Sequence, residues 1–447
     1  GDAAYSIASQ VLETPSARER LISCEPTGPE DSACLTELVS AIGKRLWRRA
    51  LTDEELARVV AVGLEAGKAL EHFDASVQYA LAALLQSPNF LYRVEVGEDD
   101  PSNTDARRYT NLEMASRLAF FLWNGPPDDA LLEAAERGEL TSSETLATQV
   151  DRLLADPKAK RAVRNFFAEW LDLYELDHLN KDPLVYKHYA PDLGPHAREE
   201  TLLVVDQLVF ADDADIRTFF TTKTTFANRR LAAIYNVPAV VEEGFGRIEL
   251  PESNPRAGFF GHVSFLGRHA HAESSSPSLR GKFIQKNILC RHVPPPPANV
   301  NTSIPEPGPE AVTLRDRLMV HMQDPSCSPC HALIDPVGFG LEQFDGVGRY
   351  RILDNGGTID PSGELDGRAF TGLEQVAEVI REAVRQLADF PDDVGVAVNV
   401  SPVQLRSASI LNQICGAIER HNILPRRIEV ELTETAMVEN SDQIASV

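Results

Sequence analysis

Residues 110–127 have the sequence TNLEMASRLAFFLWNGPP, which contains the start, the body and the end of one helix. Thr110 and Glu113 have the spacing of a capping box, in which each side chain accepts a backbone hydrogen bond at the helix start. Apolar residues then recur three and four positions apart on one face, namely Leu112, Ala115, Leu118, Ala119 and Leu122. The helix should end at Gly125-Pro126-Pro127, because proline cannot continue the hydrogen-bond ladder. This stretch therefore predicts an amphipathic helix in a mainly α protein.

Similar helical patterns occur on both sides of this stretch. Thr52 and Glu55 form a second capping box. It follows an apolar helical face made of Leu35, Leu38, Val39, Ile42 and Leu46. Further helical patterns cover residues 146–154, 162–171 and 199–210. Aromatic residues at helical spacing are expected to pack in the core: Phe120, Phe121, Trp123, Phe166, Phe167 and Trp170.

Composition limits the classes of function. The 447 residues suffice for two or three domains, and 43% hydrophobic with 25% charged residues is typical of globular proteins. A net charge of -24 argues against a nucleic-acid partner, which would need clustered Lys and Arg. No apolar run is long enough for a transmembrane segment. Residues 1–10 lack a basic start followed by an apolar core, so we expect no signal peptide there and expect both chain ends to be cut.

The residue composition changes at Pro251, where Gly, Ser, His and Pro become frequent. The run Pro294–Pro297 with Pro305, Pro307 and Pro309 predicts an extended, polyproline-like linker. A short helix is expected at Leu314–His321. Acidic turns at residues 354–357 and 360–363 predict short strands after it, because Asp, Asn and Gly favour tight turns.

Cys327-Ser328-Pro329-Cys330-His331 has the spacing C-x-x-C-H. At this spacing two thiols can attach to the two vinyl groups of haem while the adjacent imidazole reaches the iron, so haem c is the predicted cofactor. A structural disulfide or a metal site remains an alternative. A thioredoxin-like pair is disfavoured, since no βαβ unit surrounds the motif. A zinc knuckle would need a second ligand pair at zinc-finger spacing.

The second axial ligand of such a haem is not evident. Downstream of His331 the Met and His residues are Met437 and His421, and both lie in the C-terminal piece that has a different character. The upstream candidates are His321, Met319, Met322, His269 and His271. An unfilled position would let the iron bind a small molecule, which separates an electron-transfer haem from a catalytic or sensing haem.

The remaining cysteines help to predict the cellular compartment of the protein. Cys24 and Cys34 are expected to form a disulfide, which requires an oxidising environment. Attachment of haem to C-x-x-C-H also takes place outside the cytoplasm, so the periplasm or the cell surface is predicted. Cys290 and Cys415 are expected to be buried free thiols.

Several strings together are typical of one family. They are LWRRALT (46–52), ALAALLQSPNFLYR (80–93), ASRLAFFLW (115–123), FAN (226–228), SPSLRGKF (276–283) and PSCSPCHALIDPVGFGLEQFDGVGR (325–349). They resemble the secreted, multi-module bacterial proteins built from the domains of unknown function 1595, 1592, 1588 and 1585. Cys327, Cys330 and His331 match the family's cysteine motif. The string after it is matched by Asp335, Pro336, Gly338, Phe344 and Asp345.

The resemblance implies a set of modules and a general role. It implies a 1595-like helical module (38–100) and a 1592-like helical module (108–236). A truncated lead-in with Cys24 and Cys34 (1–37) is expected before them. A Pro-rich segment with a small cytochrome-c-like C-x-x-C-H module and short strands (251–350, 1588-like) and a partial 1585-like module (351–382) follow. The implied role is redox chemistry at the cell surface, with redox proteins and a polysaccharide or other polymer as partners. Arg280 and Lys282 are expected to be surface or linker-anchoring residues.

Residues 383–447 have a different character. Strand patterns at 394–400 and 427–431 flank a helical pattern at 407–419, an order that predicts parallel βαβ pairing. VAVNVSPVQL (396–405) and IEVELTET (428–435) resemble an EAL-type cyclic-di-GMP phosphodiesterase domain, a TIM-type barrel. Asn399 and Glu431 match two of that family's magnesium ligands. The other ligands are expected to lie beyond Val447, so this incomplete fragment is predicted to be inactive, and a fusion or assembly artefact is the expected origin of the junction near residues 382–390.

The leading hypothesis is therefore an extracytoplasmic c-type haem protein with an electron-transfer or oxidative role. Its rivals are a non-enzymatic surface interaction protein with structural disulfides and an EAL-type cyclic-di-GMP phosphodiesterase or binding fragment. The pattern does not decide whether the protein is an enzyme, although a haem oxidoreductase is compatible with it.

Overall fold

The computed structural model describes residues 1–101, 103–294, 304–388, 396–400 and 428–432. Helices dominate these residues, and the strands are short and occur in pairs. The prediction of a mainly α protein is therefore confirmed. The chain divides into two compact units, unit 1 at Gly1–Trp170 and unit 2 at Leu171–Val447.

Unit 1 is helical apart from one antiparallel hairpin. Its helices are α1 (Asp2–Glu13), α2 (Pro15–Leu21), α3 (Ser32–Trp47), α4 (Asp53–Leu70), α5 (Phe73–Leu85), α6 (Pro88–Leu91), α7 (Asn111–Trp123), α8 (Asp129–Glu136), α9 (Ser143–Ala155) and α10 (Pro157–Trp170). The hairpin consists of β1 (Glu98–Asp100) and β2 (Asn103–Arg108). Both predicted capping boxes are present, at the starts of α4 and α7.

The core of unit 1 follows the predicted helix faces. Leu35, Leu38 and Val39 of α3 are buried in one cluster with Val77 and Leu84 of α5. Residues of the predicted lead-in belong to the same unit, in which α1 packs against α5. Cys24 and Cys34 form a disulfide with Cα atoms 5.7 Å apart, which links the end of the α2 segment to the first turn of α3.

The core prediction is wrong for two of the six aromatic residues. Trp123 and Phe167 are buried, but Phe121 is 83% exposed and Phe166 is 60% exposed. Phe121 lies two residues from both Ala119 and Trp123, which face the core of unit 1, so the helical repeat turns its side chain outward. Phe166 instead stacks on Trp170 along the outside of α10, with ring centroids 5.9 Å apart.

Unit 2 combines short helices with four strand pairs. Its helices are α11 (Leu193–Asp206), α12 (Arg229–Tyr235), α13 (Val263–Arg268), α14 (Pro277–Phe283), α15 (Leu314–His321), α16 (Ser328–Phe339) and α17 (Leu373–Ala388). Its strands are β3 (Thr224–Ala227), β4 (Gly246–Glu249), β5 (Leu353–Asp354), β6 (Gly357–Thr358), β7 (Ser362–Leu365), β8 (Arg368–Thr371), β9 (Val396–Val400) and β10 (Ile428–Leu432). The first three pairs, β3–β4, β5–β6 and β7–β8, are antiparallel.

Several local predictions for unit 2 are confirmed. Helix α15 has the predicted bounds. The predicted turn between β5 and β6 places Asn355 and Gly356 at positive φ, 49° and 86°. Of the predicted linker, residues 304–307 form no helix or strand, whereas residues 295–303 lie outside the described residues. Helix α16, which begins at the cysteine motif, is not among the predicted elements.

The last described strands, β9 and β10, pair in parallel, as the predicted strand order requires. Asn399 lies opposite Glu431 in their register. The predicted helix at residues 407–419, and Cys415, His421 and Met437, lie outside the described residues. The predicted change of character at residue 383 falls within α17, which continues to Ala388.

Two glycines decide how α14 and α16 pack. A methyl group on Gly281 would collide with the carbonyl of Ile334, and one on Gly338 would collide with the carbonyl of Pro277. The two backbones therefore approach each other directly, without side chains between them. This close packing brings α14 beside the helix that carries the cysteine motif. Among the residues that the structure describes, no helix is long and apolar enough to cross a membrane.

Candidate functional site

The cysteine motif forms the start of α16. Cys327 is the N-cap residue, and the His331 N–H donates to its carbonyl at 3.2 Å. Helical spacing places Cys327, Cys330 and His331 on neighbouring positions of one face, because residues three and four apart are adjacent on a helix. Cys327 is buried, Cys330 is partly exposed, and both are free thiols.

The imidazole of His331 is held from one side. Its Nδ1 lies 2.8 Å from Oδ2 of Asp335, four residues later on α16. Asp335 is fully buried, and its Oδ1 accepts a hydrogen bond from the Ser278 hydroxyl of α14 at 2.7 Å. The hydrogen bond with Asp335 raises the pKa of His331. With Nδ1 engaged, Nε2 is the ring nitrogen left to bind a metal.

His321, the last residue of α15, contacts His331. Their ring centroids are 5.0 Å apart and the rings meet edge to face at 73°. Two imidazoles that bind one metal from opposite sides, each with a metal–nitrogen distance of about 2 Å, need ring centres more than about 6 Å apart. In this arrangement His321 therefore does not face His331 across a metal ion.

The other candidates for the second ligand have different surroundings. His269 is buried between aromatic rings, with its centroid 4.4 Å from that of Phe283. Burial lowers the pKa of His269 to about 3, and its Nε2 has no hydrogen-bond partner. His271 is exposed, and partial desolvation lowers its pKa. Met319 is exposed on α15, and Met322 caps the end of that helix.

The described residues contain no group of three or more His, Cys, Asp or Glu residues placed to hold a metal ion. The side chains of Asn399 and Glu431 lie outside the described part of the chain, so this absence does not apply to them. The proposed magnesium role of these two residues therefore stays a prediction.

Two predictions about individual residues are wrong. Arg280 is fully buried, so the surface part of its prediction is wrong, although it does anchor a loop: its guanidinium donates to the carbonyls of Leu341, Phe344 and Asp345 at 2.8 Å. It also lies 3.5 Å from the buried carboxylate of Glu342. The loop after α16 needs hydrogen-bond donors for its buried carbonyls, and the sequence does not show this need. Lys282 is exposed, as expected. Cys290 is a free thiol, but it is exposed instead of buried.

A second buried polar cluster in unit 2 was not predicted. The carboxylate of Glu200 on α11 accepts hydrogen bonds from Thr225 at 2.6 Å and from Tyr235 at 2.5 Å. Burial raises the pKa of Glu200 to about 7 and lowers the pKa of His262 to about 3. His262 and Ser264 both contact the hydroxyl of Thr201, at 3.1 and 2.6 Å. These hydrogen bonds tie α11 to β3, α12 and α13.

Three family profiles match the chain, each described as a protein of unknown function. They are PSD5 (DUF1595) at residues 34–95, PSD4 (DUF1592) at 109–237 and PSCyt3 (DUF1588) at 256–354. The chain belongs to this multi-module family. The DUF1588 module contains Cys327, Cys330, His331, Asp335 and Ser278, so the whole candidate site lies in one module.

The three matches confirm the resemblance predicted for the 1595, 1592 and 1588 modules. None of them covers residues 355–447, so the resemblances of that part to a 1585 module and to an EAL domain stay predictions. Comparison with curated proteins and with solved structures gave no match.

Proposed function

We propose that the DUF1588 module binds haem covalently and gives the protein an electron-transfer or oxidative role. Cys327 and Cys330 would each add the S–H of their thiol across a vinyl group of the haem, which gives a thioether without a leaving group, and Nε2 of His331 would bind the iron. The observation that carries the proposal is the arrangement at the start of α16, where two unpaired thiols lie on one helical face with a histidine whose Nδ1 is already engaged. Bound haem would supply one-electron redox chemistry.

The buried carboxylate beneath His331 supports the role of this histidine as a ligand. Asp335 would hold the His331 ring and its tautomer in place, which leaves Nε2 free to bind the iron.

The positions of the other histidines favour an oxidative or small-molecule-binding haem over a simple electron carrier. His321 does not oppose His331, and His269 is buried among aromatic rings. Iron held by His331 as its single protein side-chain ligand would be able to bind a small molecule. Redox proteins and an extracellular polymer, such as a polysaccharide, are the proposed partners. The proposed location is the periplasm or the cell surface, because a disulfide and C-x-x-C-H haem attachment both belong outside the cytoplasm.

The rival function, a surface interaction protein held together by disulfides, is less well supported. Cys24 and Cys34 are paired, whereas Cys327 and Cys330 are not, although only two residues separate them. The phosphodiesterase alternative depends on side chains outside the described residues. Neither alternative accounts for the buried Asp335 beneath His331.

Covalent attachment is the first test. The full chain should be produced in the periplasm of a host that expresses the c-type haem maturation machinery. We expect a Soret band that survives acid-acetone extraction and a mass increase of one haem. The double variant Cys327→Ala/Cys330→Ala should lose both signals. Cys290→Ser, a matched change at an exposed free thiol, should keep them.

The contrary outcome is also clear. Wild-type protein that folds, forms the Cys24–Cys34 disulfide and carries no covalent haem would refute the proposal. The surface interaction function would then be the better one, and a disulfide between Cys327 and Cys330 in the purified protein would support it directly.

A further inference from the structure

We propose that Asp335 is a positioning residue that makes His331 a strongly electron-donating ligand and so sets a low reduction potential for the haem. This inference rests on the proposed haem site. It concerns a residue that the cysteine motif does not include. The observation that supports this inference is one chain of hydrogen bonds that runs from α14 to α16.

The chain of hydrogen bonds has three members. The Ser278 hydroxyl donates to Oδ1 of Asp335 at 2.7 Å, and Oδ2 of Asp335 lies 2.8 Å from Nδ1 of His331. Ser278 thus satisfies one carboxylate oxygen and leaves the other for the imidazole. Because Asp335 is fully buried, water does not compete for either oxygen.

The chain is held rigidly by its two helices. Gly281 and Gly338 let α14 and α16 approach backbone to backbone, and the side chain of Gln285 donates from the segment after α14 to the Leu333 carbonyl at 2.9 Å. His331 and Asp335 are one helical turn apart, so their distance does not depend on a loop. The carboxylate therefore keeps a fixed geometry toward the imidazole.

A carboxylate acceptor affects an axial histidine more than a neutral acceptor does. A hydrogen bond with one ionised partner is about twice as strong as a neutral one, so Nδ1–H shifts electron density toward Nε2. The negative charge beneath the ring also favours the oxidation state of the iron with the higher positive charge. Both effects stabilise the ferric form, so the midpoint potential of the one-electron Fe(III)/Fe(II) couple falls.

The test uses haem-loaded full-length protein titrated against an electrode. In Asp335→Asn the acceptor is neutral, and we expect the midpoint potential to rise by about 59 mV, a tenfold shift of the one-electron equilibrium. Asp335→Ala should raise it as well. Asp335→Glu, which restores the carboxylate, should recover most of the wild-type value. Asp360→Asn is the matched control, because Asp360 belongs to the same unit but bonds Ser362.

A second readout separates ligand tuning from a merely structural effect. In the reduced protein, resonance Raman spectroscopy should show a lower iron–histidine stretching frequency for Asp335→Asn and an unchanged one for Asp360→Asn. Haem-loaded Asp335 variants with wild-type potentials and stretching frequencies would overturn this inference and leave haem attachment intact. Wild-type protein without covalent haem would instead overturn the proposed function.

Discussion

Glu200 shows how a single buried carboxylate can make the stability of unit 2 depend on pH. Its oxygens accept hydrogen bonds from the hydroxyls of Thr225 and Tyr235, and both partners are neutral. Burial raises the pKa of Glu200 to about 7, from an ordinary value of 4.5. The folded protein thus binds a proton at this site over a pH range in which the unfolded chain has released it.

We expect Glu200→Gln to flatten the fall in stability between pH 4.5 and pH 7. In this window the folded state binds more protons than the unfolded state, so the free energy of unfolding of the wild type decreases as pH rises. The change attributable to Glu200 is on the order of 3 kcal/mol, at about 1.4 kcal/mol per pKa unit. Urea unfolding at pH 5 and pH 7.5 measures it.

The control for this prediction is Glu249→Gln. Glu249 accepts a hydrogen bond from Thr224 on the exposed edge of β4, so its replacement should leave the pH dependence close to that of the wild type. An unchanged pH slope in Glu200→Gln would show that Glu200 is ionised in the folded protein.

For individual residues, the sequence predicts the chemical role of a side chain better than it predicts the surroundings of that side chain in the fold. The C-x-x-C-H spacing is enough to recognise Cys327, Cys330 and His331 in the sequence. The structure places them on one helical face. Asp335 is four residues from His331, a helical spacing that would make it a partner, but Pro336 directly after it disfavours a helix in the sequence. Arg280 could not have been placed, because its partners are carbonyls that come near only in the folded protein.

At the scale of elements, the contact between α14 and α16 requires a glycine on each helix. Carbonyls of each helix occupy the space that a side chain on the other would need, at Gly281 and at Gly338. The same contact aligns Ser278 with Asp335. Stability and the geometry of the candidate site therefore depend on one helix pair.

We expect Gly281→Ala to destabilise unit 2 by about 1–3 kcal/mol, because a methyl group would force α14 away from the Ile334 carbonyl. Chemical unfolding followed by circular dichroism measures the loss. Gly267→Ala on α13 is the control, since its nearest neighbour is the Val263 side chain at 3.6 Å. That variant should be neutral or more stable, by up to about 1 kcal/mol. Equal effects of the two substitutions would contradict the close-packing argument.

Elements with local signals were predictable and elements that depend on distant partners were not. The capping boxes of α4 and α7 need only residues three apart, and both are present. Helix α16 contains Pro336 and is stabilised by packing on α14, so its own sequence predicts it poorly. Strands β3 and β4 pair across about twenty residues, so neither segment shows its partner in the local sequence.

For the whole molecule, the sequence modules and the compact units do not coincide. The DUF1592 match covers residues 109–237, but the division between the units falls between Trp170 and Leu171. Helices α7 to α10 of that module belong to unit 1, whereas α11 and α12 belong to unit 2. The bounds of this family match are therefore not the bounds of a compact unit.

Reduction of the disulfide should affect unit 1 selectively. The Cys24–Cys34 bond closes a loop with a sequence separation of 10, and a loop of this length contributes about 2–3 kcal/mol. In hydrogen-exchange experiments with a mild reductant, we expect faster exchange in peptides from α2 and α3. Peptides from α14 and α16 should keep their protection, because the thiols of Cys327 and Cys330 are already unpaired. Equal losses in both sets would contradict the prediction.

The two cysteine pairs impose a timing problem on biogenesis. Cys24 and Cys34 form a disulfide, whereas the proposed haem attachment requires Cys327 and Cys330 to stay reduced until the haem reaches them. Short loops close more readily than long ones, so an oxidant that joins the first pair also joins the second. Yield of haem-loaded protein would then be a kinetic competition between thiol oxidation and cofactor delivery. If haem attaches as proposed, a cell would need a reductant for one pair of thiols in the same compartment where it oxidises the other.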